Sequence, residues 1–167
     1  AIALAERALG RLEGAMAGLP NRELLTRTLA RREAVQSSQI EGTQADLPQL
    51  LTYEATWGLD GLPADVKVTE RYVRALQHGL TAIRERGGRT ALTKELVDEL
   101  HAILMQDAPD HFPKGKYRTT QVWIGGSRIE DAAFVPAPPE FIVGCMADME
   151  ENILQYKPLE EDQSALT

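Results

Sequence analysis

The chain has 167 residues, of which 43% are hydrophobic and 26% charged, and its formal net charge is −7. That length suffices for one compact domain with a core, or a domain plus a helical extension, and the composition is that of a globular protein. The acidic balance argues against a nucleic-acid footprint, and no apolar run reaches the length of a membrane span.

The N-terminus reads as an Ala/Leu/Glu/Arg helix, not a signal peptide, with Ala5, Leu9, Leu12 and Met16 at helical spacing before the stop Leu19-Pro20-Asn21. Asn21 is the expected N-cap of a second helix, with Leu25, Leu29 and Val35 on its buried face and its end at Glu41. Gly42 then supplies the left-handed residue that commonly closes a helix. A shorter helix is expected after Asp46, carrying Leu50, Leu51 and Tyr53, and the turn-rich stretch from Trp57 to Pro63 is the expected internal boundary. It divides an N-terminal helical region, residues 1–60, from residues 61–167.

The second part opens with a long helix from Asp65 to Arg86, stopped by Gly87-Gly88, with Tyr72, Leu76, Leu80 and Ile83 as its apolar repeat. Thr93 caps the next helix, whose core face is Leu96, Leu100 and Ile103 with Leu104 beside it. Past Met105, Pro109, Pro113 and Gly115 break helicity. Tyr117 to Ile124, Gly125-Gly126 and Ala132 to Val135 together predict one β-hairpin. Pro136 to Pro139 lead into a last helix with Ile142, Met146, Met149 and Ile153 on one side, ending near Tyr156, and Leu166-Thr167 reads as the opening of another element. The expected fold is all-α, a helical bundle carrying one hairpin.

Several chemistries fail on spacing. Gly115-Lys116 is not a P-loop, because the positions that need Gly and Ser or Thr hold Asp110 and Tyr117. Cys145 is the one cysteine, so no internal disulfide is expected and a reducing, cytoplasmic setting fits; no base is near it in sequence. His78, His101 and His111 show no metal-ligand spacing, and His78 and His101 fall in helices as packing or surface residues. No catalytic residue and no metal site is expected in this chain.

One motif stands out. Ser37-Ser38-Gln39-Ile40-Glu41-Gly42-Thr43 puts Ser37 and Glu41 on one helix face and turns Ile40 toward the core. Glu41 falls in the last turn, where the helix dipole disfavours an anion by about 0.3–1 kcal/mol. It is either a solvated helix end or a carboxylate placed to meet a cation elsewhere.

The stretch Glu33 to Thr43 resembles the N-terminal inhibitory helix of the Fic family, with Ser37, Glu41 and Gly42 matching its (S/T)xxxE(G/N) motif. Gly115-Lys116-Tyr117-Arg118 followed by Gln121-Val122-Trp123-Ile124-Gly125-Gly126 resembles the strand entering the family's flap hairpin, and Phe134 to Glu140 resembles the segment leaving it. The family signature HPFxxGNGRxxR is expected beyond Thr167, so the chain as given is expected to be a truncated, inactive piece.

That resemblance implies a full-length protein AMP-transferase, using ATP and Mg²⁺ to move AMP onto a target hydroxyl. This chain alone is expected to bind neither tightly. Glu41 is implied to act as a brake by pairing with a signature arginine that would otherwise hold a phosphate. Ser37 is expected to support the brake helix by hydrogen bonding. Residues Gln121 to Gly126 are implied to dock a target protein along an exposed strand edge, so that proline at 122 or 123 weakens target modification. Arg118 fits either fold support or ligand contact. The family also contains transferases of UMP or phosphocholine, and dimerisation is open. Neither nucleic acid nor membrane is an expected partner. The competing reading is an inert helical interaction module; a DNA-binding helical domain is disfavoured by the lack of a basic recognition helix.

Overall fold

The computed structural model describes residues 2–58 and 61–156. Leu59 and Asp60 of the expected boundary turn, and the Leu166-Thr167 opening, lie outside the described residues. The described chain is helical and contains α1 (Ile2–Ala17), α2 (Arg22–Ile40), α3 (Leu47–Ala55), α4 (Ala64–Glu85), α5 (Lys94–Leu104) and α6 (Pro139–Met149). No described helix is long and apolar enough to cross a membrane. Two compact units are present, residues 1–73 and 74–167.

In the first unit the local signals act as expected. Asn21 caps α2, its Oδ1 accepting from the Leu24 N–H at 2.9 Å. Asp46 and Gln49 form a reciprocal capping box at the start of α3, satisfying two otherwise orphaned amide donors. The core joins Ala34, Val35, Leu50 and Val73, with Leu47 and Tyr72 against them. It involves only the second half of α2. Leu25 and Leu29, expected on the buried face, are exposed, and α1 buries nothing. The apolar spacing of those segments correctly predicts helix, but burial of an amphipathic face needs a partner that spacing does not identify. Past α3, Trp57 takes a left-handed φ of +54°, a conformation that bulky residues seldom adopt.

In the second unit α4 presents a different stripe from the one its large residues predict. Leu80 is exposed, whereas Ala75, Gly79 and Ala82 are buried. A Cβ on Gly79 would lie 3.4 Å from a Leu100 methyl, so the small residues admit α5 closely. Thr93 caps α5 as expected, and Leu96 is its buried residue, while Leu104 is exposed. The chain after α6 widens into a single π turn over Glu150–Leu154. Arg89 closes that end by donating to the carbonyls of Ile153 and Leu154, each at 2.7 Å. Ile153 itself is exposed, contrary to the repeat that placed it with Ile142, Met146 and Met149.

The predicted hairpin is not a strand pair. Ile124 and Phe134 form one isolated antiparallel bridge, and no strand occurs among the described residues. Around that bridge, 124–134 exchanges both hydrogen bonds, so the next such pairs toward the base would be 122–136 and 120–138. Positions 136 and 138 are prolines and have no N–H to give. At the tip, Gly125 and Gly126 both take positive φ and a short 3₁₀ turn covers Ile129–Asp131. The ladder has nowhere to grow.

Candidate functional site

The motif from Ser37 to Thr43 occupies the end of α2, and the main chain there is tightly determined. Glu41 is the C-cap, with φ −83° and ψ 6°. The Thr43 N–H donates to the Ser38 carbonyl at 3.1 Å and the Gly42 N–H to Gln39 at 3.0 Å. These are the two crossed bonds of a Schellman closure, and Gly42 provides its left-handed residue at φ +94°.

Neighbouring side chains hold this terminus. Gln39 Nε2 donates to the buried Ala45 carbonyl at 2.9 Å, and the Gln44 N–H donates to Asp65 Oδ2 at 2.8 Å. Arg31 Nε meets both carboxylate oxygens of Glu54, at 2.8 and 3.1 Å, tying α2 to α3. That pair is mostly buried, where a charge-assisted bond is stronger than on the surface.

Glu41 is exposed at the end of this platform, and no described side chain pairs with its carboxylate. The last turn of α2 also lacks a basic residue. The helix dipole disfavours an anion at this end by about 0.3–1 kcal/mol. Ser37 does not touch Glu41: its hydroxyl donates to Glu33 Oε1 at 2.9 Å, one turn back. Ile40, expected toward the core, is 84% exposed. The buried positions of this turn are Ala34, Val35 and Ser38, so Ile40 falls on the side of the helix away from them.

The second expected site is the loop of residues 118–138. Val122, Trp123 and Ile124 are exposed, as are Phe134 and Val135 on the returning leg. Gln121, expected as part of the docking edge, uses its side chain inward: Nε2 donates to the carbonyls of Val122 at 2.9 Å and Pro136 at 3.0 Å. Arg118 donates to the carbonyls of Thr120 and Ala137, which assigns its guanidinium to fold support. Gly125 and Gly126 turn the tip, where a Cβ on Gly126 would meet the Asp131 carbonyl oxygen at 2.5 Å.

The base of this loop is anchored on α5 by contacts the spacing does not announce. The Gly115 N–H donates to His101 Nδ1 at 3.1 Å. Gly115 has φ +65°, and a Cβ there would lie 2.7 Å from the Asp98 carbonyl oxygen, so glycine is needed twice over. Burial pushes the Tyr117 phenol up, and the Asp98 carboxylate adds to it. Nearby, His78 Nε2 and Glu99 Oε2 are 2.8 Å apart, and Arg86 also reaches Glu99. Hydrogen bonding from His78, then from Arg86, holds the Glu99 carboxyl below its ordinary range. A pattern of His and Glu on successive helices was the available signal, but nothing in the spacing pairs them.

Among the described residues no acidic or histidine cluster is arranged to hold a metal, and the loop at Gly115-Lys116 lacks the residues of a phosphate cradle. Residues 1–81 match the family model for the Fic/DOC family N-terminal region. No curated protein matches the chain.

Proposed function

We propose, from the Fic family membership carried by residues 1–81, that this chain is the regulatory and target-docking part of a protein AMP-transferase restrained by Glu41. The observation that carries the reading is the state of that carboxylate. It is exposed and unpaired among the described residues, and it projects from a main chain fixed by a closed helix end on a platform tied by Arg31, Gln39 and Gln44. A solvated surface glutamate does not require such a foundation. A carboxylate that must meet one particular arginine does, because a bidentate pair demands fixed geometry.

In this reading Glu41 offers its oxygens to an arginine of the family signature in the full-length protein and withholds that cation from the phosphates. Ser37 contributes indirectly. Its bond to Glu33 stays on the same helix face and keeps both groups occupied within α2. The 118–138 loop supports the docking half of the reading, since the main chain of its exposed first leg pairs with the return leg at one bridge only. An extended target segment adding to such an edge is held mainly through its main chain, which requires little of its sequence.

The test is Glu41→Gly in the full-length protein with ATP labelled on its α-phosphate. Release of the brake raises AMP incorporation into protein by about a hundredfold, the scale on which misplaced reacting groups slow a reaction. Equal incorporation by variant and wild type removes the brake.

A further inference from the structure

We propose that Arg118 and Gln121 are positioning residues for the docking edge, their side chains replacing the backbone ladder that Pro136 and Pro138 forbid. The inference rests on the docking reading above for its purpose, and on the loop's own geometry for its substance.

The register set by the Ile124–Phe134 bridge makes 122–136 and 120–138 the next pairs that would exchange hydrogen bonds. Each contains a proline, so neither pair can close in both directions. The Gln121 amide sits where the first pair is lost, donating to Val122 and Pro136 carbonyls on opposite legs. The Arg118 guanidinium spans the legs beside the second, one nitrogen on the Thr120 carbonyl at 2.8 Å and another on Ala137 across the loop. Two side chains thus join two legs at the two rungs where the main chain cannot.

The arrangement has a consequence for the outer edge. In an antiparallel pair, residues alternate between directing their N–H and C=O toward the partner strand and directing them away. Positions 122 and 124 belong to the inward set, so 121 and 123 belong to the outward set. No hydrogen bond among the described residues uses the N–H of Gln121 or Trp123. Stapling by side chains therefore keeps residues 121–124 in register without occupying the amides of Gln121 and Trp123. A third strand of the protein's own would have held the leg equally well and covered them.

The experiment uses the full-length protein carrying Glu41→Gly, so that activity is measurable. Arg118→Lys keeps the charge but loses the fork that spans two carbonyls; Gln121→Met keeps length but loses the donor. Amide hydrogen exchange at Ile124 and Phe134 should accelerate about tenfold in either variant, while exchange in α5 is unchanged. With labelled ATP and a desalted lysate as the acceptor pool, the apparent KM for acceptor rises about tenfold and the KM for ATP stays within about twofold.

Unchanged exchange overturns the staple. Accelerated exchange with equal rises in both KM values overturns the positioning role. Trp123→Pro separates the two layers: it removes an outward amide but leaves both staples. If labelling survives that change, the docking reading falls, while the exchange result on Arg118→Lys still decides the staple.

Discussion

The end of α2 and the 118–138 loop are both short, solvent-facing segments built around left-handed glycines, yet they are held in opposite ways. At α2 the main chain closes on itself through the Schellman bonds, and the side chains of Gln39 and Arg31 brace it against a buried core. In the loop the main chain closes once, at Ile124–Phe134, and side chains supply the remaining rungs. The first arrangement fixes the main chain from which one carboxylate projects. The second fixes a register and leaves amides unused. A group meant to meet one partner atom needs the former; an edge meant to accept many segments needs the latter.

Stability measurements give the widest contrast. Leu50 is 0% exposed at the centre of the α2–α3 core. Leu50→Ala should cost about 2–5 kcal/mol in urea unfolding, as buried leucine truncations do. Phe134→Ala, although it removes a larger side chain, should change stability by only about 0.5 kcal/mol, because Phe134 is exposed. Comparable losses at the two positions would mean that the loop is as firmly packed as the platform.

Gly42→Ala sharpens the comparison at smaller scale. The left-handed φ of +94° makes any Cβ unfavourable, at about 1–2 kcal/mol. The helix end then frays and Glu41 loses its fixed position, so AMP incorporation by the full-length protein should rise, though less than for Glu41→Gly. A stable, fully restrained Gly42→Ala protein would show that the brake does not depend on the helix closure.

The smallest expected effect is on pH, and it concerns the helices beneath the loop. His78 and Arg86 depress the Glu99 carboxyl, so this contribution is fully present above its ordinary value of 4.5 and is lost as pH falls through the lower folded value. Thermal melts taken from pH 6 downward should show wild type losing more stability than Glu99→Gln. Since Glu99 is partly exposed, the difference is slight and shrinks in high salt. Identical acid profiles would remove any role for the cluster in securing α4 to α5.

Local signals were the legible part of this molecule. Asn21, Asp46 and Thr93 cap the helices they precede, and Gly42 closes α2, because a cap involves residues within a few positions of each other. Burial was less legible. The Leu80 stripe of α4 was chosen by side-chain size, but helices approach most closely over small residues, and Ala75, Gly79 and Ala82 took the contact. Leu25, Leu29 and Ile40 are apolar at helical spacing and still face water, since spacing gives a face without giving its partner. The expected hairpin is reduced to one bridge for a similar reason. The β-rich run of 117–124 was visible, but the effect of Pro136 and Pro138 depends on cross-strand register, which only the bridge defines. At the candidate site the Glu41 position could be read directly, whereas the inward use of Gln121 could not.

The bracing of Glu41 also has a temporal side. The Schellman bonds, the Gln39–Ala45 bond and the Asp46–Gln49 box each join residues no more than six apart, and Arg31–Glu54 and Gln44–Asp65 close only modest loops. Contacts of such short range form early, and a nascent polypeptide folds from its N-terminal end as it leaves the ribosome. If a nucleotide-handling segment is translated later and Glu41 restrains it as proposed, that segment emerges beside a restraint already assembled, with no interval of unchecked activity. Protease protection of stalled nascent chains, appearing once α4 has cleared the exit tunnel, would register that order of events.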